Sequence, residues 1–412
     1  MSEHLDDALL TAIADRFGTP TYVYDLDRMG RRLAALQAAL PGAVILYAVK
    51  ANPNGAVLRS LASSGAGAEV ITVGELERAA RAGVAPERIL VGGPAQDPVL
   101  VARAAALGAG LVSLDSPGQW RDWSGRETAA RFLVRVNPGL DPHTHEHLAT
   151  GAPDSKFGLA PGPALALARA VAAWGKLAGF HVHAGSMIRD LTVYDAVFDV
   201  LEPLYRALPG LSLLDLGGGF AVPDFPLERF AERAGELAGR LGVSLVIEPG
   251  RFLTAAAGTL LTRLVRVKEG GPRTHAIADA GMADLLRPAL YGARHAVRAL
   301  GAPGSGTDAN VEAVAGAAKG AEASGTPVDV DGPLCENADR LARDAGLAVP
   351  APGTLLAIAE AGAYGFAMAS NYASSLRPAE VAVEHGRFRL VRRRERVEDL
   401  WRLEDPEPDA GP

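Results

Sequence analysis

The sequence predicts an α/β protein, an N-terminal (β/α)8 TIM-type barrel followed by a β-rich domain, and three observations carry this. Between about residues 30 and 270, short apolar segments alternate with Ala/Leu/Arg-rich amphipathic stretches. Eight such units over roughly 240 residues fit a closed parallel barrel better than an open doubly wound sheet. Beyond about residue 260 the alternation gives way to strand-like segments with few helices between them. Finally, Lys50, Glu69, Arg135, His183, Gly217 and Glu248 fall at or just past predicted strand ends, where a barrel carries its chemistry.

The first barrel strand, 44–49, lies in Ala43-Val-Ile-Leu-Tyr-Ala-Val49, too short for a long helix and rich enough in β-branched residues to be a fully buried strand. Strands follow at 69–71, 89–91, 110–113, 130–136, 177–183, 213–216 and 245–248, with a helical segment at 227–241. The β-rich domain takes strands at 259–268, 276–279, 354–358 and 381–384, and the segment 22–24 is expected to join it. The division is therefore residues 1–28 with the C-terminal domain, 29–262 as the barrel, and 263–412 as the β-domain. Within the last, residues 301–327 are Gly/Ala/Ser-rich and expected to form a flexible surface excursion. No internal repeat is evident.

With 412 residues, 48% of them hydrophobic, the chain can fill about two domain cores. The net charge of -7 is spread along the sequence and gives no nucleic-acid footprint, so small anionic ligands need local sites. The N-terminal Met-Ser-Glu-His lacks a signal peptide's basic and apolar regions, and no apolar run reaches the roughly 18 residues of a membrane span. A cytoplasmic protein is expected. The single cysteine, Cys335, forms no intramolecular disulfide; it is either a buried packing thiol or, beside Glu336 at a turn, a proton donor.

Lys50 closes the first strand. A half-buried lysine there loses hydration, its pKa falls, and the neutral amine can form a Schiff base; a lysine that snorkels out of the strand end fits the same residues. Asp215-Leu-Gly-Gly-Gly219 follows a strand and precedes a helix, as a phosphate-binding turn or an ordinary flexible one does. Glu248-Pro-Gly-Arg251 joins a carboxylate, a rigid turn and a guanidinium, either to hold a pyridine nitrogen and an anion or as a surface ion pair. In His181-Val-His183-Ala-Gly-Ser186 the two histidines share a strand face, and one could stack on a flat cofactor while Ser186 reaches phosphate. His143, His145 and His147 also alternate, but no carboxylate or cysteine pattern accompanies them, so no metal site is expected.

The ordered set Tyr47-Ala-Val-Lys50-Ala-Asn52, His183-Ala-Gly-Ser186, Gly217-Gly-Gly219, Glu248-Pro-Gly-Arg251, Asp279-Ala-Gly-Met282, Arg287-Pro-Ala-Leu-Tyr291, Gly332-Pro-Leu-Cys335-Glu336, Gly362-Ala-Tyr364 and Asn371-Tyr372 resembles the motif series of the fold-type III pyridoxal-phosphate decarboxylases. The resemblance is greatest to their diaminopimelate branch and runs from about Gly18 to Val383. It implies an alanine-racemase-like barrel with a C-terminal β-domain, pyridoxal 5'-phosphate as cofactor, and conversion of meso-2,6-diaminopimelate to L-lysine and CO2. On it, Lys50 would carry the cofactor, His183 would stack on its ring and Glu248 would pair with its nitrogen. Ser186, Gly218, Gly219, the Gly250-Arg251 turn and Tyr372 would surround the phosphate. Family sites form at a homodimer interface, so Cys335, as proton donor, and Glu336 would come from the partner subunit. Arg251, Arg287 and Tyr291 match positions that grip the substrate's far carboxylate, and Glu336 one that faces its far amino group. Tyr372 would also border the substrate.

Chemistry agrees with that division, since a second carboxylate needs guanidinium groups whereas a plain diamine side chain would favour acids. His143-Thr-His-Glu-His147, Thr150-Gly151 and Ser155-Lys-Phe-Gly158 also resemble a loop of the bacterial diaminopimelate branch. Three features depart from it: Gly92-Gly-Pro-Ala-Gln-Asp97, Ala184 and Ala373. They leave open a same-fold decarboxylase of ornithine, lysine or a siderophore or antibiotic precursor. A racemase fits less well because Cys335-Glu336 and the arginines match decarboxylases, and a non-enzymatic regulator fits less well because Lys50, Glu248 and Cys335 are retained.

Overall fold

The computed structural model describes residues 5–140, 155–301 and 327–404. His143, His145, His147, Thr150, Gly151 and residues 302–326 of the expected excursion lie outside the described residues. The chain divides into two compact units, Arg28–Thr254 on one side and Met1–Asp27 with Ala255–Pro412 on the other.

Arg28–Thr254 holds a closed barrel of eight parallel strands: Val44–Ala48, Gly67–Val70, Ile89–Val91, Leu111–Leu114, Arg131–Arg135, Leu177–His181, Leu213–Asp215 and Ser244–Ile247. Each expected barrel segment overlaps one of them, and Val44↔Val246 with Ile45↔Ile247 closes the ring. Leu46, Leu90, Leu111, Leu133, Ala178, Leu213 and Val246 form one buried apolar cluster, so the barrel is a packed core and its chemistry is confined to one rim. Helix Leu227–Leu241 has the expected bounds. It buries Leu227, Phe230, Ala234, Leu237 and Ala238, a 3.6-residue stripe, and stops at Gly242 in the left-handed conformation.

The second unit is built on a nine-stranded mixed sheet. Thr21–Asp25 inserts between Gly258–Lys268, antiparallel, and Ala379–Glu384, parallel, which is why the N-terminal segment belongs here. Helix Asp7–Phe17 supplies Leu10, Ile13 and Ala14 to a core with Val23, Leu261, Leu355 and Val381. The boundary differs from the division at residue 262. Gly258–Lys268 pairs along its length within this sheet, with Leu260 opposite Ile358, so residues 255–262 belong to the β-rich unit. Among the described residues, no helix is long and apolar enough to cross a membrane.

Candidate active site

The first barrel strand passes directly into a single 3-10 turn, Val49–Ala51, that presents Lys50 at the rim. Asn52 braces the turn: its carbonyl accepts from Tyr47 Oη at 3.0 Å, and its Oδ1 accepts from Asn54 N at 3.1 Å. Lys50 Nζ donates to Glu69 Oε2 at 2.8 Å; the lysine side chain is 36% exposed and the glutamate is buried. Lys50 is thus held by a carboxylate on the neighbouring strand and does not merely snorkel. Glu75 lies just beyond: its Oε2 accepts from Ile71 N, and burial raises its carboxyl to about 7.

Deeper in the barrel, strand ends bring Asp215, Glu248 and His181 together, all buried. His181 Nδ1 lies 2.7 Å from Ser113 Oγ and its Nε2 3.7 Å from Glu248 Oε1. Burial, then the cations Arg135 and Lys50 and the neighbouring His183, drive the His181 pKa well down, so the ring is neutral. Burial, then the Asp215 charge, pushes Glu248 well up. Among the described residues, Glu248 Oε1 has no hydrogen-bond partner. A dry carboxyl oxygen without a partner is costly, and a pyridinium N–H is a donor that would satisfy it.

The Asp215-Leu-Gly-Gly-Gly219 turn builds a backbone cradle above this group. Gly217 N donates to Asp215 Oδ1 at 2.8 Å, and Gly218 N to His183 Nδ1 at 3.2 Å. The second contact leaves Nδ1 without a proton, and burial with Arg135 and Lys50 lowers His183 to about 3. Gly219 has a left-handed φ of +90°, and a Cβ there would lie 2.3 Å from Gly185 O. The cradle therefore packs against the Gly185-Ser186 loop, where Ser186 is exposed. Gly250, before Arg251, packs on Ala48 and Ala51, tying the Glu248-Pro-Gly-Arg251 turn to the Lys50 turn. The predicted strand 177–183 ends at His181, so His183 belongs to the loop.

The remaining predicted residues lie in the β-rich unit. Cys335 is exposed, which removes the reading of a buried packing thiol. Glu336 Oε1 accepts from Tyr372 Oη at 2.5 Å, and both side chains are exposed. Asp339, buried, pins their loop by accepting from Leu334 N at 2.6 Å and Met282 N at 2.5 Å. Arg287 opens a short helix, Arg287–Tyr291, with its guanidinium 6.0 Å from the Tyr291 ring centre and 5.9 Å from that of Tyr364. Tyr291 is exposed.

Several contributing residues carried no sequence signal as site residues: Ser113, Asp115 and Gln96. Asp115 Oδ2 pairs with Arg135 at 3.4 Å and accepts from Gly158 N at 3.1 Å. Gln96 is buried; its Nε2 donates to Ser113 O at 2.6 Å and its Oε1 accepts from Trp123 Nε1 at 2.8 Å. The departure at 92–97 thus ties the loop into the barrel wall. Its inward glutamine was detectable only as a polar residue beside Gly-Gly-Pro.

Residues 26–255 match the family described as pyridoxal-dependent decarboxylase, pyridoxal binding domain. The chain is 42% identical over 400 residues to a diaminopimelate decarboxylase of Deinococcus radiodurans, covering 95% of this chain and 97% of that one. It is 36% identical to one of Zymomonas mobilis, covering 97% and 96%. A crystal structure of diaminopimelate decarboxylase from Helicobacter pylori complexed with L-lysine superposes with a TM-score of 0.84 at 31% identity, over 96% of this chain and 99% of that one.

Proposed function

Because the chain belongs to the pyridoxal-dependent decarboxylases, we propose that it decarboxylates meso-2,6-diaminopimelate to L-lysine with pyridoxal 5'-phosphate, acting in the cytoplasm. Near-full-length similarity to diaminopimelate decarboxylases supports the substrate. The observation that carries the cofactor is the unpartnered, buried Glu248 Oε1 in the same barrel as a rim lysine.

The bound cofactor supplies an aldehyde for amine capture and a protonated ring that absorbs the electron pair left when CO2 departs. Lys50 Nζ is the attachment amine, and Glu69, already hydrogen-bonded to it, orients it and stands ready to take its proton. His183, neutral because its pKa is low, offers a flat face that does not repel a cationic ring. Glu248 holds the ring nitrogen. Gly218, Gly219, Ser186, Gly250, Arg251 and Tyr372 serve the phosphate through backbone amides, hydroxyls and one guanidinium. Arg251, Arg287 and Tyr291 take the distal carboxylate, and Glu336 and Tyr372 the distal amino end. Cys335 donates the proton to the substrate carbon.

Cys335 and Glu336, exposed on the β-rich unit, are proposed to complete the site of a partner subunit in a homodimer. Mixing inactive Lys50→Ala with the strongly slowed Cys335→Ala protein then restores activity by forming one intact site, whereas mixed dimers no faster than the Cys335→Ala protein exclude sharing.

The deciding experiment is CO2 release by the pyridoxal-phosphate-loaded protein from meso-diaminopimelate, with ornithine, lysine and arginine alongside. Release from diaminopimelate alone is the expected result. Release from another amino acid only would move the protein to a secondary-pathway decarboxylase.

A further inference from the structure

Glu248 is not the only carboxyl group in the barrel with an idle oxygen. Asp215 ends the strand that pairs with Ser244–Ile247 and is fully buried. Its Oδ1 accepts from Gly217 N, and its Oδ2 has no partner among the described residues. His181 Nε2 also has none among them, although Ser113 fixes the opposite side of that ring. One polar atom from each of His181, Asp215 and Glu248 lies within 4.8 Å of the other two. Three buried polar groups converging on one spot call for a proton or a cationic donor to satisfy them.

Resting on the cofactor reading above, we infer that Asp215 is a positioning residue, a second carboxyl group behind Glu248, and that the pair together supplies the charge that keeps the ring nitrogen of bound pyridoxal phosphate protonated. Burial raises Asp215 to about 7, against the pull of the Gly217 amide, with the Glu69 charge raising it further and Arg135 lowering it. Glu248 is raised well above its ordinary range. The pair therefore retains a proton at neutral pH. On cofactor binding one O–H bond breaks and one N–H bond forms, and the carboxylate charge stays opposite the nitrogen, with no further reactant. Of the charged groups facing the pair, Lys50 and Arg135 favour its ionised form and Glu69 opposes it, while His181 and His183 are neutral.

The test loads the protein with cofactor labelled with 15N at the ring nitrogen and follows that NMR shift from neutral to alkaline pH. In the wild type the pyridinium signal persists. Asp215→Asn keeps an oxygen for Gly217 N and removes only the charge; it should lower the nitrogen's pKa by about one to three units, so that neutral pyridine appears within the range. A merely structural role for Asp215, as a cap for the glycine turn, leaves the titration unchanged, and that result overturns the inference. If the asparagine variant does not fold, Asp215→Ser retains an acceptor hydroxyl and carries the same test. Borohydride reduction of the wild type separates the two readings. A pyridoxyl label on Lys50 with an unchanged titration overturns this inference alone; no label on Lys50 overturns the cofactor reading and this inference with it.

Discussion

In the barrel, Glu69, His181, Asp215 and Glu248 are all buried, each on or beside a strand end and each within reach of another polar group. In the β-rich unit, Cys335, Glu336, Tyr291 and Tyr372 are exposed; Asp339 pins the Cys335-Glu336 loop through the Leu334 and Met282 amides, and Tyr372 Oη donates to Glu336 Oε1. The difference separates two ways of preparing chemistry. Burial shifts the pKa values of His181, Asp215 and Glu248 within a single unit of the fold. The exposed groups gain a dry surrounding only when something covers them.

The sharpest way to break this contrast is to remove one residue from each set. Lys50→Ala should take turnover below detection and abolish borohydride-stable attachment of the cofactor, with the fold retained by circular dichroism. Cys335→Ala should leave attachment intact and slow turnover by about 100-fold or more, the range for losing a general acid. Full activity in the lysine variant would sink the mechanism. Loss of attachment in the cysteine variant would mean that the exposed set also shapes the cofactor pocket.

Arg287→Ala sharpens the contrast at the substrate. It strips a charge-assisted contact from the distal carboxylate and should raise KM for diaminopimelate by about 2 to 3 kcal/mol in binding terms, with a smaller effect on kcat. Unchanged KM would remove the main physical support for a dicarboxylate substrate.

The contrast also explains what was legible in the sequence. The eight barrel segments were readable because parallel strands buried on both faces are continuous apolar runs, and helix 227–241 because its stripe has one period. In the β-rich unit, Val297–Ala299, Val328–Asp331, Arg340–Ala342 and Arg387–Arg392 gave no such signal: three are only three or four residues long, and the fourth is half arginine, at 387, 389 and 392, so it is no continuous apolar run. Lys50, His183 and Glu248 stood out as unusual residues at strand ends. Ser113 and Gln96 did not, because a serine inside an apolar strand and a glutamine in a loop acquire meaning only through partners far along the chain. Asp215 was visible as the start of a glycine turn, whereas its idle oxygen beside Glu248 appears only once the barrel closes.

Each unit also holds buried acids whose ionisation is linked to folding, and Asp284 is one of those in the β-rich unit. Burial raises it to about 7, partly opposed by the Gly281 amide, with Asp279 raising it further and Arg394 lowering it. A raised acid binds its proton more tightly in the folded state, so its contribution to stability is present below the ordinary carboxyl range and is lost as pH rises from about 4 to about 7. The slope is at most about 1.4 kcal/mol per pH unit for one group. Asp284→Asn keeps an oxygen for Gly281 N and should flatten the dependence of denaturation midpoint on pH across that window. An unchanged profile would show that the carboxyl ionises freely in the folded state.

The smallest expected effect concerns Ala373, one of the departures from the diaminopimelate branch. It follows Tyr372 and sits at φ 52°, ψ 32°, in the left-handed region, on an exposed turn. That conformation costs an L-residue with a plain Cβ roughly 1 kcal/mol or more, and asparagine tolerates it better because its side chain can hydrogen-bond locally. Ala373→Asn should therefore stabilise the protein by about 0.5 to 1 kcal/mol in urea denaturation while leaving the ranking of substrates unchanged. The two readouts separate a backbone departure from a substrate-determining one: stabilisation with the same ranking places the departure at 373 in the energetics of the turn, and a changed ranking places it in the pocket beside Tyr372.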